Sequence, residues 1–134
     1  MEKSNIHIVN LGAYTTPRIV ENYRDEFVCY GEDNNYFKYL IDRYTGSTTN
    51  QSIITGISKM IYGKGIDALD SRRKPEQYAQ MIGLFMPDDL RRVIFDRKLL
   101  GMAAMQVTYK SGFIETATHF PMETLRPEKA DKDG

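Results

Sequence analysis

The spacing of apolar residues divides the chain into short strands, a run of helices and a final hairpin. Residues 6–11 (Ile6-His7-Ile8-Val9-Asn10-Leu11) read as a strand, followed by a turn-like stretch around Gly12 and Pro17. Glu26 to Tyr30 reads as a second strand, ended by Gly31. The polar knot Gly31-Glu32-Asp33-Asn34-Asn35 then offers side chains that turn the chain and cap a helix. Phe37, Leu40, Ile41 and Tyr44 stand at i, i+3, i+4 and i+7, which predicts a helix over 36–45 that stops near Gly46.

The strongest helical signal comes next. Thr48 and Gln51 have the spacing of a capping box, and Ile53, Ile54, Ile57, Met60 and Ile61 share one face, the expected anchor of the core. Gly63 and Gly65 suit the helix's exit. Pro75 suits a first helical turn, and Tyr78, Met81, Ile82 and Phe85 repeat the helical interval. Pro87-Asp88-Asp89 opens another helix, running to about Leu100, with acids at its positive end. After Gly101 the period becomes that of a strand: Met105, Val107 and Tyr109 alternate with Gln106 and Thr108. Lys110-Ser111-Gly112 reads as a three-residue hairpin loop and residues 113–120 as the return strand. From Pro121 the period is lost, so 121–134 reads as a polar, disordered tail. The expected fold is one α+β domain over 1–134: N-terminal short strands, about four helices, then an antiparallel hairpin.

The helix at 88–100 carries two apolar stripes. Leu90, Val93, Ile94 and Leu100 share one side, while Phe95 and Leu99 point nearly opposite. Charges lie between them, with Asp88–Arg92 and Arg92–Asp96 at i,i+4. Two stripes imply packing on both sides, the second against another part of the core or another subunit. If that partner is another subunit, Phe95 and Leu99 are candidate subunit-interface residues.

Composition narrows the function. Leu, Ile, Val and Phe total 31 residues, above the roughly 20% below which disorder is expected. No apolar run approaches the roughly 20 residues of a membrane span, and the first residues lack a signal peptide's apolar core, so the chain reads as soluble without a targeting segment. Lys and Arg total 18, as do Asp and Glu, and the balance holds in both halves, seven basic to eight acidic over 1–67 and eleven to ten over 68–134. Without a basic excess, duplex DNA binding is expected to be weak and indifferent to sequence. The single Cys29 excludes an intramolecular disulfide.

Candidate chemistry is sparse. Gly63-Lys64-Gly65 invites a phosphate-loop reading, but Gly56 precedes it by seven positions and Gly65 stands where a Ser or Thr is needed, so a helix cap is preferred. Cys29, His7 and His119 are scattered, Cys29 reads as a small core residue, and two His with one Cys do not compose a zinc site of ordinary spacing. Glu32 and Asp33 form a carboxylate pair in a turn. Arg72-Arg73-Lys74 reads as a solvated loop or, more pointedly, a candidate phosphate contact in an assembly. Nine tyrosines, with Tyr36, Tyr39, Tyr44 and Tyr62 grouped on the first two helices, suit an interface as well as a core. No catalytic, cofactor or metal set emerges.

The segment Val28-Cys29-Tyr30-Gly31-Glu32-Asp33-Asn34-Asn35-Tyr36-Phe37-Lys38-Tyr39-Leu40-Ile41-Asp42-Arg43-Tyr44 resembles the N-terminal signature of portal proteins of tailed bacteriophages and prophages, in which Tyr-Gly-x-x-Asn leads into a Tyr-Leu helix. The resemblance continues through Ser47-Thr48-Thr49-Asn50, Ile61-Tyr62-Gly63-Lys64-Gly65, Asp96-Arg97-Lys98-Leu99-Leu100-Gly101 and His119-Phe120-Pro121-Met122-Glu123-Thr124-Leu125-Arg126-Pro127. It implies a structural protein without catalytic residues or cofactors: a subunit of the homo-oligomeric ring at the capsid vertex, through which double-stranded DNA is packaged and ejected. It also implies terminase, capsid and scaffold proteins as partners, no membrane, and a place in the virion after assembly in the host cytoplasm. Family members continue into a stem and clip, so the chain resembles a fragment of the wing domain, in which Phe95 and Leu99 would face a neighbouring subunit or the missing C-terminal part and would stand exposed in the fragment alone. The alternatives are a stand-alone binding module or remnant that interferes with portal assembly, and a metal-dependent hydrolase or nuclease using Glu32, Asp33 or His119.

Overall fold

The structure, a computed structural model, describes residues 21–24 and 27–128. The predicted strand 6–11, His7 and residues 129–134 lie outside the described residues. The fold is α+β: β1 (Glu21–Arg24), β2 (Phe27–Tyr30), α1 (Asn35–Thr45), α2 (Thr48–Tyr62), α3 (Pro75–Leu84), α4 (Pro87–Leu99), β3 (Ala104–Lys110) and β4 (Phe113–Phe120), with 3-10 turns at Glu32–Asn34 and Met122–Thr124. β1 pairs antiparallel with β2, Glu21 opposite Tyr30 and Arg24 opposite Phe27. Glu-Asn-Tyr-Arg offers little apolar alternation, which is why β1 gave no strand signal.

The polar tail is a correction. Over 121–128 the chain turns back onto β2: the Val28 N–H donates to the Pro127 carbonyl at 2.8 Å and Phe27 bridges Glu128. Met122 is buried and joins Phe37 and Leu100 as the core, with Tyr30, Leu40, Ile41, Leu99, Met102, Ala104 and Leu125 packed around it. Two apolar residues in a polar stretch lack periodicity, but together with these bonds they dock it. Phe37, only 1% exposed, is the largest fully buried side chain among the described residues, and the Tyr30 ring tilts against it at 5.5 Å between centroids.

The helix at 36–45 packs as its spacing predicts, with Phe37 buried and Leu40, Ile41 and Tyr44 half-buried. The next helix does not. Ile54 and Ile57 are half-buried, but Ile53, Met60 and Ile61 are 53%, 74% and 54% exposed. Its buried residue is Ser58, which with Thr55, Lys59 and Tyr62 faces the seam with α4. The cap is displaced too: Ser47 rather than Thr48 is the N-cap, its Oγ accepting from the Asn50 N–H at 3.3 Å. Gln51 serves the preceding helix, donating from Nε2 to the Thr45 carbonyl at 3.1 Å. Gly63 caps the C-terminus, its N–H donating to the Lys59 carbonyl at 2.9 Å, as the helix-cap reading requires.

Pro75 and Pro87 occupy first helical positions. Phe85, expected on the α3 face, has left the helix and makes a parallel bridge to Ala117 on β4. The hairpin loop is two residues, not three: Lys110 pairs with Phe113, and Ser111 and Gly112 have φ of 51° and 83°. Positive φ at both central positions matches the strand twist, and glycine adopts it without strain. A bulge at Thr108/Tyr109 shifts the register and leaves Glu115 unopposed. The alternation on β3 does not produce a buried face, since the helices cover only the end of the hairpin near Ala117 and Val107, Tyr109, Phe113 and Ile114 stay exposed.

Candidate functional site

Helices α2 and α4 pack side by side and β4 closes one end of the seam. Tyr44 locks the arrangement: its hydroxyl lies 3.1 Å from Thr55 Oγ1, and its ring meets Phe95 edge-on at 5.2 Å. Between the two helices lies a cleft of about 540 Å³. Thr55, Ser58, Lys59 and Tyr62 line it from α2, Arg91, Arg92, Phe95 and Asp96 from α4, and His119 from β4.

His119 and Asp96 form the most enclosed polar contact of the cleft. Nε2 stands 2.7 Å from Asp96 Oδ2, and both side chains are nearly buried. Arg91 pairs with Asp88 at 2.8 Å and covers the Tyr62 ring at 4.7 Å. The expected Asp88–Arg92 and Arg92–Asp96 pairs are therefore replaced by Asp88–Arg91 and Asp96–His119. A buried imidazole competes better for Asp96 than an exposed guanidinium, whose ion pair is worth little in water. Ser58 is buried with no hydrogen-bond partner for its hydroxyl, the sole such side-chain atom among the described residues.

The sequence-predicted site residues fall elsewhere or play other parts. Phe95 and Leu99 are half-buried rather than exposed, Phe95 against Tyr44 and Leu99 against the Phe37 core. Both stripes of α4 are used within the chain, because α1 covers the second one. Arg72, Arg73 and Lys74 are exposed in the turn before α3, away from the cleft lining, and Lys74 lies 3.4 Å from Asp70. Cys29 is buried in β2, as its apolar surroundings predict. Glu32 is exposed, and among the described residues no group of three or more His, Cys, Asp and Glu is arranged to hold a metal ion. No described helix is long and apolar enough to cross a membrane.

Sequence reasoning missed the cleft and its His119–Asp96 contact. A signal existed: His119 lies two residues beyond Ala117, on the strand face that β4 turns toward the helices. Compared with protein-family models, curated proteins and solved structures, the chain matches none of them.

Proposed function

We propose that the chain is a structural assembly protein of the phage-portal type, a wing-like region that works by contact with copies of itself and is not an enzyme. The observation that carries this reading is the outward apolar face of α2, with Ile53, Met60 and Ile61 open to solvent. A contiguous apolar face on a helix marks a surface that a partner covers. The occupant that fits the resemblance is a second copy of this chain, packed α2 face to neighbouring subunit.

The segments that carry the resemblance are neighbours in the fold. Val28 bonds Pro127, Phe37 packs with Leu100 and Met122, and Asp96 bonds His119. In a ring, the subunit contributes structure at the capsid vertex, where DNA, terminase, capsid and scaffold proteins meet it. The exposed Arg72 and Arg73 are its phosphate-facing candidates, with Lys74 weakened in that role by Asp70. Assembly takes place in the host cytoplasm and the product resides in the virion.

Negative-stain electron microscopy of the concentrated protein tests this reading. Closed rings or arcs of regular curvature are expected. A uniform field of monomers that hydrolyse nucleic acid in the presence of a divalent cation would overturn it.

A further inference from the structure

The cleft between α2 and α4 has features that self-assembly does not require. Its volume of about 540 Å³ lies within the roughly 300–1,000 Å³ of small-molecule sites. Phe95 and Tyr62 supply aromatic walls from opposite helices. Three cations line the cleft, and they differ in commitment. Arg91 is held by Asp88 and the Tyr62 ring, whereas Lys59 and Arg92 have no ion-pair partner among the described residues. The single acid of the lining, Asp96, is occupied by His119.

Ser58 adds an independent pointer. It is 7% exposed, lines the cleft, and its hydroxyl has no partner. A buried unpaired hydroxyl destabilises a protein unless something completes its hydrogen bonding. Its oxygen is closed off as it stands, so it would meet a group in the cleft by turning about χ1.

We infer that this cleft binds a small planar aromatic phosphate of nucleoside-monophosphate size, independently of self-association. The ring lies among Phe95, Tyr62 and the apolar walls, with a polar ring atom or hydroxyl completing Ser58. The phosphate sits between Lys59 and Arg92. A phosphomonoester carries about −1.5 to −2 charge near neutral pH, which matches two unpaired cations, whereas a carboxylate would satisfy one.

Titration of the intact protein with AMP, adenosine and inorganic phosphate, followed by calorimetry, tests the site. AMP should bind at least tenfold more tightly than either fragment, because the two halves of the cleft act together. Lys59→Gln and Arg92→Gln should each weaken AMP by about tenfold, the loss of a charge-assisted contact. Lys98→Gln makes the same charge change on α4 outside the lining and should leave affinity unchanged. Ser58→Ala should weaken AMP and yet raise the melting temperature of the free protein, a combination that a purely structural serine would not give. The inference fails if AMP does not bind at millimolar concentration, if phosphate alone binds as tightly, or if Lys98→Gln weakens AMP as much as Arg92→Gln.

Discussion

Asn34 and Leu125, 91 positions apart, are joined by a 2.9 Å hydrogen bond from Asn34 Nδ2 to the Leu125 carbonyl. The same amide accepts at Oδ1 from the Tyr30 N–H at 3.0 Å. One buried side chain thus ties β2 to the segment that closes the core. Its backbone is left-handed, φ 64° and ψ 18°, a conformation that Asn tolerates better than other side chains. Asn34→Ala removes both bonds and keeps the strain, so it should cost about 2–4 kcal/mol. Asn34→Gly, which loses the bonds without the strain, should cost less. Urea denaturation of the two variants checks the order.

Gly31 turns the chain from β2 into the 3-10 turn with φ 74° and ψ −175°, a region populated essentially by glycine alone. A Cβ there would stand 3.2 Å from the Tyr36 amide nitrogen, so the turn has little room to adjust. Gly31→Ala should therefore destabilise by about 1–3 kcal/mol. Thermal melts would show it, and an unchanged melting temperature would contradict the turn geometry.

The displaced cap of α2 separates two adjacent hydroxyls. Ser47→Ala should cost about 1 kcal/mol, while Thr48→Ala at the first helical position should stay within about 0.5 kcal/mol. Denaturant melts that ranked them in reverse would restore Thr48 as the cap.

These residues show what a sequence can and cannot declare. The α1 spacing, the two proline-started helices, the glycine exit from α2 and the terminal hairpin were legible, because each depends on local periodicity or local backbone chemistry. The outward face of α2 was not: five apolar residues at helical spacing look the same whether they meet the core or a partner. Nor was the docking of 121–128, which rests on two apolar side chains and on bonds spanning most of the chain. The cleft was illegible for the same reason. His119 and Asp96 lie 23 residues apart, and only the packing of β4 on α4 brings them together.

That contact makes its own prediction. With both side chains nearly buried, truncating one leaves the other unpaired, so Asp96→Ala and His119→Ala should each cost about 1–3 kcal/mol. A double-mutant cycle should return a coupling of about 0.5–3 kcal/mol. Additive losses would mean the two side chains contribute separately.

The most direct test of the assembly reading is sedimentation velocity across a wide concentration range, comparing the wild type with Met60→Ser combined with Ile61→Ser and, separately, with Phe95→Ser. The wild type should associate as concentration rises. The α2 double variant should remain monomeric with a melting temperature close to wild type, since exposed positions usually change stability by no more than about 0.5 kcal/mol each. Phe95→Ser, which breaks the Tyr44 contact inside the fold, should instead lower the melting temperature. A wild type that stays monomeric at every concentration, or a double variant that associates as strongly as wild type, would contradict the account.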